Sequence, residues 1–112
     1  MVAALTVVAT PAYAQTGEVT NSKYLEIIEH RYRVGEFSDT ITGTVKNIST
    51  EEVSSITIYL LLYDKANQLI TIETGYADVT PLPSQDTSLF SINVYYHGND
   101  MNHYVMLPGG RP

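Results

Sequence analysis

The chain has 112 residues, with 12 acidic and 6 basic side chains, a net charge of −6 and no cysteine. That length suits one domain with its own core. The lack of cysteine removes disulfides, thiolate metal sites and a cysteine nucleophile, and the acidic balance lacks the basic footprint that nucleic acid or an anionic lipid surface would require.

Residues Met1 to Val8 are small and apolar and run into Ala9-Thr10-Pro11-Ala12-Tyr13-Ala14. The small-x-small triplet Ala12-Tyr13-Ala14 reads as a signal-peptidase site, so a signal peptide is expected over 1–14 with cleavage before Gln15. No Lys or Arg precedes the apolar run, so the free α-amino group or residues further upstream would supply the positive charge. The competing reading is an apolar strand; the Ala-rich composition and the cleavage triplet favour the signal. The run is too short to span about 30 Å of hydrocarbon as a helix. No later segment is long enough either, so no membrane span is expected. Residues 15–22 are polar and read as a flexible linker.

Tyr24 to Val34 carries Leu25, Ile28 and Tyr32 at helical spacing, yet Leu25 and Ile27 also alternate. A strand is expected, because every later segment reads as β; a helix is the alternative. Gly35 to Asp39 is a turn cluster. From Thr40 to Asn47, Ile41, Gly43 and Val45 share one face. Asn47 to Glu52 is a loop. Val53 to Tyr63 is the strongest strand, with Ile56, Ile58, Leu60 and Leu62 on one face and Tyr59, Leu61 and Tyr63 on the other. Such a strand is expected to be central and at least partly covered on both sides. Asp64 to Gln68 is a turn built on Asp64 and Asn67. Leu69 to Tyr76 returns, with Ile70 and Ile72 expected to face the core. Thr80 to Asp86 is a proline-broken loop. Thr87 to Tyr96 points Phe90, Ile92, Val94 and Tyr96 inward. His97 to Asp100 is a turn, Met101 to Leu107 a last strand, and 109–112 a tail. The fold expected is all-β: an immunoglobulin-like antiparallel β-sandwich of about six to seven strands over 23–108.

The chain resembles the FxLYD domain family. Gly43-Thr44-Val45-Lys46-Asn47 is similar to the family's G-x-V-x-N strand end. Leu60-Leu61-Leu62-Tyr63-Asp64 sits where F-x-L-Y-D falls, with Leu60 for Phe. Asn67 stands where the D-x-x-G turn usually has Gly. Leu82-Pro83-Ser84 through Phe90 is similar to L-x-P-G-x-x-x-x-F, with Ser84 for Gly. The resemblance covers residues 24 to 96. It implies an exported β-sandwich, often attached to prokaryotic cell envelopes, without a defined catalytic activity. It carries over no functional residues. Gly43, Val45, Asn47, Leu60, Leu62, Tyr63 and Asp64 take structural roles.

No catalytic constellation stands out. There is no G-x-S-x-G elbow, and no carboxylate pair is singled out. His97 and His103 flank Asp100 and could face each other across a hairpin. They are weak metal candidates, with His30 the only further histidine. Asp64, Asp78, Asp86 and Asp100 lie in loops without D-x-D spacing, so solvated turn acids are the simpler account. Exposed tyrosines could stack on sugars or a protein. Asn47-Ile48-Ser49 fits an N-glycosylation sequon, although turn chemistry is the simpler role for Asn47. The sequence is therefore expected to encode an exported, non-catalytic β-sandwich module for protein interaction or cell-envelope structure. No cofactor is expected, and the partner would be a protein or envelope component. A small-ligand domain for a sugar or metal ion is the alternative.

Overall fold

Alternating β-branched and aromatic residues build seven strands in the computed structural model, which describes residues 16–95 and 100–112. They are β1 (Thr16–Val19), β2 (Leu25–Arg33), β3 (Asp39–Asn47), β4 (Ser54–Tyr63), β5 (Leu69–Ala77), β6 (Thr87–Val94) and β7 (His103–Arg111). The expected signal segment 1–14, its cleavage point before Gln15, and the placements expected for Tyr96 and His97 lie outside the described residues. No helix occurs among the described residues, and none is available to cross a membrane.

The strands form one mixed sheet in the order β1-β7-β4-β5-β6-β3-β2. Every neighbouring pair is antiparallel except β1 and β7, which run parallel. The sheet rolls until β2 approaches β7, which gives a nearly barrel-shaped body. This differs from the purely antiparallel arrangement expected.

The segment expected as a linker contains β1. Its exit is held by local turn chemistry: Ser22 Oγ accepts hydrogen bonds from the Tyr24 and Leu25 amides, and Asn21 Oδ1 accepts one from Ile27. The expected tail is also strand, because β7 runs on to Arg111, with Pro108 opposite Ile58 and Gly109 opposite Thr57.

Leu25, Ile41, Ile58, Leu60, Leu62, Phe90, Ile92 and Met106 fill the interior. Each such side chain contributes about 1.5–3 kcal/mol on burial. The inward faces expected of β3, β4 and β6 are the ones observed.

Two β-bulges alter the parity elsewhere. In β2 the register shifts between Ile27 and Glu29. Leu25 and Ile27 point inward before the bulge, and Ile28 is left exposed. Beyond it Tyr32 lies opposite the buried Ile41 and packs on the core. That extra residue explains why Leu25, Ile28 and Tyr32 mimic helical spacing. In the β4–β5 hairpin, Leu62 pairs with Thr71 but Tyr63 pairs with Leu69, so Ile70 is the extra residue. Ile70 packs on the core while Ile72, also expected inward, lies outside and is 51% exposed. A bulge exchanges the two faces of the strand beyond it.

Candidate functional site

The residues singled out by motif hold the fold together. Asn47 is fully buried at the end of β3. Its Nδ2 donates to the Glu51 carbonyl at 2.7 Å and to the Leu82 carbonyl at 2.9 Å. Its Oδ1 accepts from the Ser49 amide at 2.9 Å and the Ser49 hydroxyl at 2.7 Å. The side chain thus spends its whole hydrogen-bonding capacity internally. In this fold the Asn47 side chain is buried and both Nδ2 protons are taken up by backbone carbonyls.

Gly43 and Val45 lie on the inner face of β3, and Leu60 and Leu62 on that of β4. A Cβ on Gly43 would stand 2.6 Å from Phe90 Cζ and collide with the Glu29 carbonyl. Glycine is needed there for close approach. Asp64 Oδ1 accepts from the Ala66 and Gln68 amides, both at 2.9 Å, and Asn67 sits at φ 65°. Asp64 is therefore a turn acid of the kind expected.

His103 lies on β7, with its ring stacked on Tyr63 at 5.2 Å and an interplanar angle of 9°. Its Nδ1 is 3.1 Å from Asn102 Oδ1, and its Nε2 is 3.1 Å from Asn67 Oδ1. Both ring nitrogens thus face amide groups. His97 lies outside the described residues. Among those described, no three His, Cys, Asp or Glu side chains gather as metal ligands would.

His30, the third histidine, sits where the rolled sheet closes. It meets Tyr104 of β7 edge-on at 5.9 Å, and the Tyr32 ring stacks on Tyr104 at 5.8 Å. Tyr32 Oη donates to Asp39 Oδ2 at 2.5 Å. Tyr104 Oη lies 3.2 Å from His30 Nδ1, and in the Nε2–H tautomer of His30 the hydroxyl donates. Burial lowers the pKa of His30 and raises that of Tyr104, so both are held neutral. These groups engage one another and close the seam between β2 and β7.

The outer surface divides into two kinds. Outside β2 and β3, the register puts Glu26 opposite Lys46, Glu29 opposite Thr44 and Arg31 opposite Thr42. This polar side includes a shallow hollow of about 290 Å³ bordered by Glu29, Arg31 and Asp78. Outside β7, β4 and β5, the rows are apolar. Val105, Leu61 and Ile72 lie abreast, and Leu107 and Tyr59 lie abreast beside them. Tyr59 is 41% exposed, and Leu61, Val105 and Leu107 are half-buried. On the outer face of β4, expected to be partly covered, Thr57, Leu61 and Tyr63 are half-buried and Tyr59 is exposed.

The third feature is a parting in the sheet. Between β5 and β6 the ladder consists of Tyr76 with Ser91 and Ala77 with Phe90. Below it the strands diverge around a cleft of about 470 Å³. Glu73 Oε2 crosses it to accept the Tyr95 amide at 3.2 Å. Sequence reasoning overlooked Glu73 and placed Ile72 inside. The available signal was the polar-apolar disorder of Leu69 to Tyr76, which fits a bulged strand beside a gap. Comparison with protein-family models, characterised proteins and solved structures finds no match for this chain.

Proposed function

We propose that this chain is an exported, non-catalytic β-module of the FxLYD type, acting in protein interaction or cell-envelope structure. The observation that carries the reading is the outward apolar face of Tyr59, Leu61, Ile72, Val105 and Leu107, exposed at Tyr59 and Ile72 and half-buried elsewhere, on a chain of net charge −6. Isolated surface apolar residues need no explanation, but aligned rows across three strands fit a surface that another molecule covers. The resemblance is supported by the roles of its motif residues: Asn47 as a buried tie, Asp64 as a turn acid and Phe90 over Gly43. An immunoglobulin-like sandwich is supported by the parting. In the β5–β6 ladder between the half-sheets β1-β7-β4-β5 and β6-β3-β2, only Tyr76 with Ser91 and Ala77 with Phe90 are paired. Export is supported by the signal-like segment 1–14, and attachment to the envelope by the FxLYD resemblance. The test is cross-linked recovery of the mature protein from its native envelope. A specific protein cross-linked through this face is expected; recovery of nothing above background would remove the interaction reading.

A further inference from the structure

The parting between β5 and β6 has the attributes of a strand-accepting site. Leu89 accepts the Asp78 amide across the ladder at 2.8 Å, and Tyr95 donates its amide to Glu73 at 3.2 Å. Both are odd-numbered positions of one extended segment, so alternation directs the backbone groups of Asn93 toward β5 as well. The β5–β6 ladder ends at Ser91, so Asn93 has no β5 residue opposite it. At the junction, a Cβ on Gly75 would strike the Ser91 carbonyl, so the strands meet closely here and part below. Glu73 serves as a placeholder: its carboxylate substitutes for a strand carbonyl at the Tyr95 amide.

The walls give the partner its chemistry. Tyr76 is 66% exposed, Tyr95 65% and Ile72 51%, and all three border the cleft. Among the described residues that line it, Glu73 carries the only charge. A carboxylate sharing one cleft with exposed tyrosines suits a cationic side chain, through charge and through the ring faces. The acidic net charge of the chain favours the same partner.

We infer that the β5–β6 cleft accepts an extended peptide segment that pairs with the backbone of Asn93 and Tyr95 and places a lysine or arginine against Glu73. This rests on the interaction reading above and names its partner as an extended basic peptide. The incoming carbonyl takes over the Tyr95 amide, and the released Glu73 carboxylate pairs with the basic side chain.

The test uses the mature chain and a synthetic peptide of about six residues alternating Lys and Thr. Amide chemical shifts report the site and a titration reports affinity. The expected result is perturbation of Glu73, Asn93 and Tyr95. A Glu-Thr peptide should not bind, and the same Lys-Thr peptide N-methylated at alternate residues should fail, because it keeps its charge but loses its strand donors. Glu73→Gln keeps an oxygen for the Tyr95 amide, so the fold should persist while affinity falls about tenfold. Equal binding by the methylated peptide, an unchanged affinity for Glu73→Gln, or perturbation elsewhere would each overturn the inference. So would a response of these residues to a neutral oligosaccharide and not to the peptide. No peptide binding alongside continued recovery of a cross-linked envelope partner would also overturn it, while leaving the interaction reading standing.

Discussion

Asn47 and Leu82 are joined by a fully buried hydrogen bond of 2.9 Å across a sequence separation of 35 residues. Through it the end of β3 holds the loop that leads into β6. The backbone adds a second tie, since the Asn47 amide donates to Asp86 and the Gln85 amide donates to Asn47. Asn47→Ala would take this donor from the buried Leu82 carbonyl, which would keep the Val53 amide, and from the Glu51 carbonyl in the exposed loop, and would leave a gap where the buried amide stood. It should cost about 2–3 kcal/mol, read as a lower urea midpoint at unchanged slope. Asn47→Asp should not restore the loss, because a carboxylate cannot donate to either carbonyl.

Gly43 makes a second, steric prediction. The Phe90 ring and the Glu29 carbonyl occupy the space that a side chain would need. Gly43→Ala should therefore destabilise by about 1–3 kcal/mol. In the double variant with Phe90→Leu, part of the loss should be recovered, leaving the clash with Glu29. Fully additive losses would show that the ring is not the obstacle.

How far these features could be read beforehand depended on whether the residues obey a two-residue period. Ile41, Val45, Ile58, Leu60, Leu62, Phe90 and Ile92 do, and their burial was legible. Ile72 was not, because the bulge at Ile70 exchanges the faces after Thr71. β1 was hidden for another reason. Thr16-Gly17-Glu18-Val19 has too little apolar patterning to announce a strand, and it is ordered by pairing with β7, which is distant in sequence. Asn47 and Asp64 were legible as turn chemistry, but the depth of Asn47 was not, since its partner lies 35 residues away. The cleft at Glu73 arises where two strands separate, which no local pattern encodes.

Asn67 tests the turn after Asp64. It holds φ at 65°, where a Cβ is disfavoured unless the side chain is Asn or Asp. Asn67→Gly should leave stability within about 0.5 kcal/mol of the parent, while Asn67→Ala should lose about 1 kcal/mol. Thermal melting of the three proteins distinguishes them. Equal melting of the glycine and alanine variants would contradict the conformational account.

The seam at His30 predicts a pH dependence with a definite sign. Burial lowers the folded-state pKa of His30 below its ordinary value of 6.5. Between the two values the unfolded chain binds more protons, so stability rises with pH in that window. The contribution is complete above the ordinary value and is lost as pH falls toward the folded-state pKa. His30→Gln retains an acceptor for Tyr104 without titrating. The urea midpoint of the parent should fall more steeply than that of the variant between about pH 8 and about pH 5. Parallel curves would show that His30 is not held neutral at the seam.

The interaction reading rests on the apolar rows outside β7, β4 and β5, and Leu61 lies at their centre between Val105 and Ile72. Its side chain faces away from the core, so Leu61→Glu should leave the fold nearly intact while placing a charge in the middle of the face. The most direct measurement compares cross-linked recovery of partner from the native envelope by the parent and by this variant, with thermal midpoints confirming that both are folded. Loss of the recovered partner in a folded Leu61→Glu protein is the result predicted; undiminished recovery would contradict the claim that this face binds.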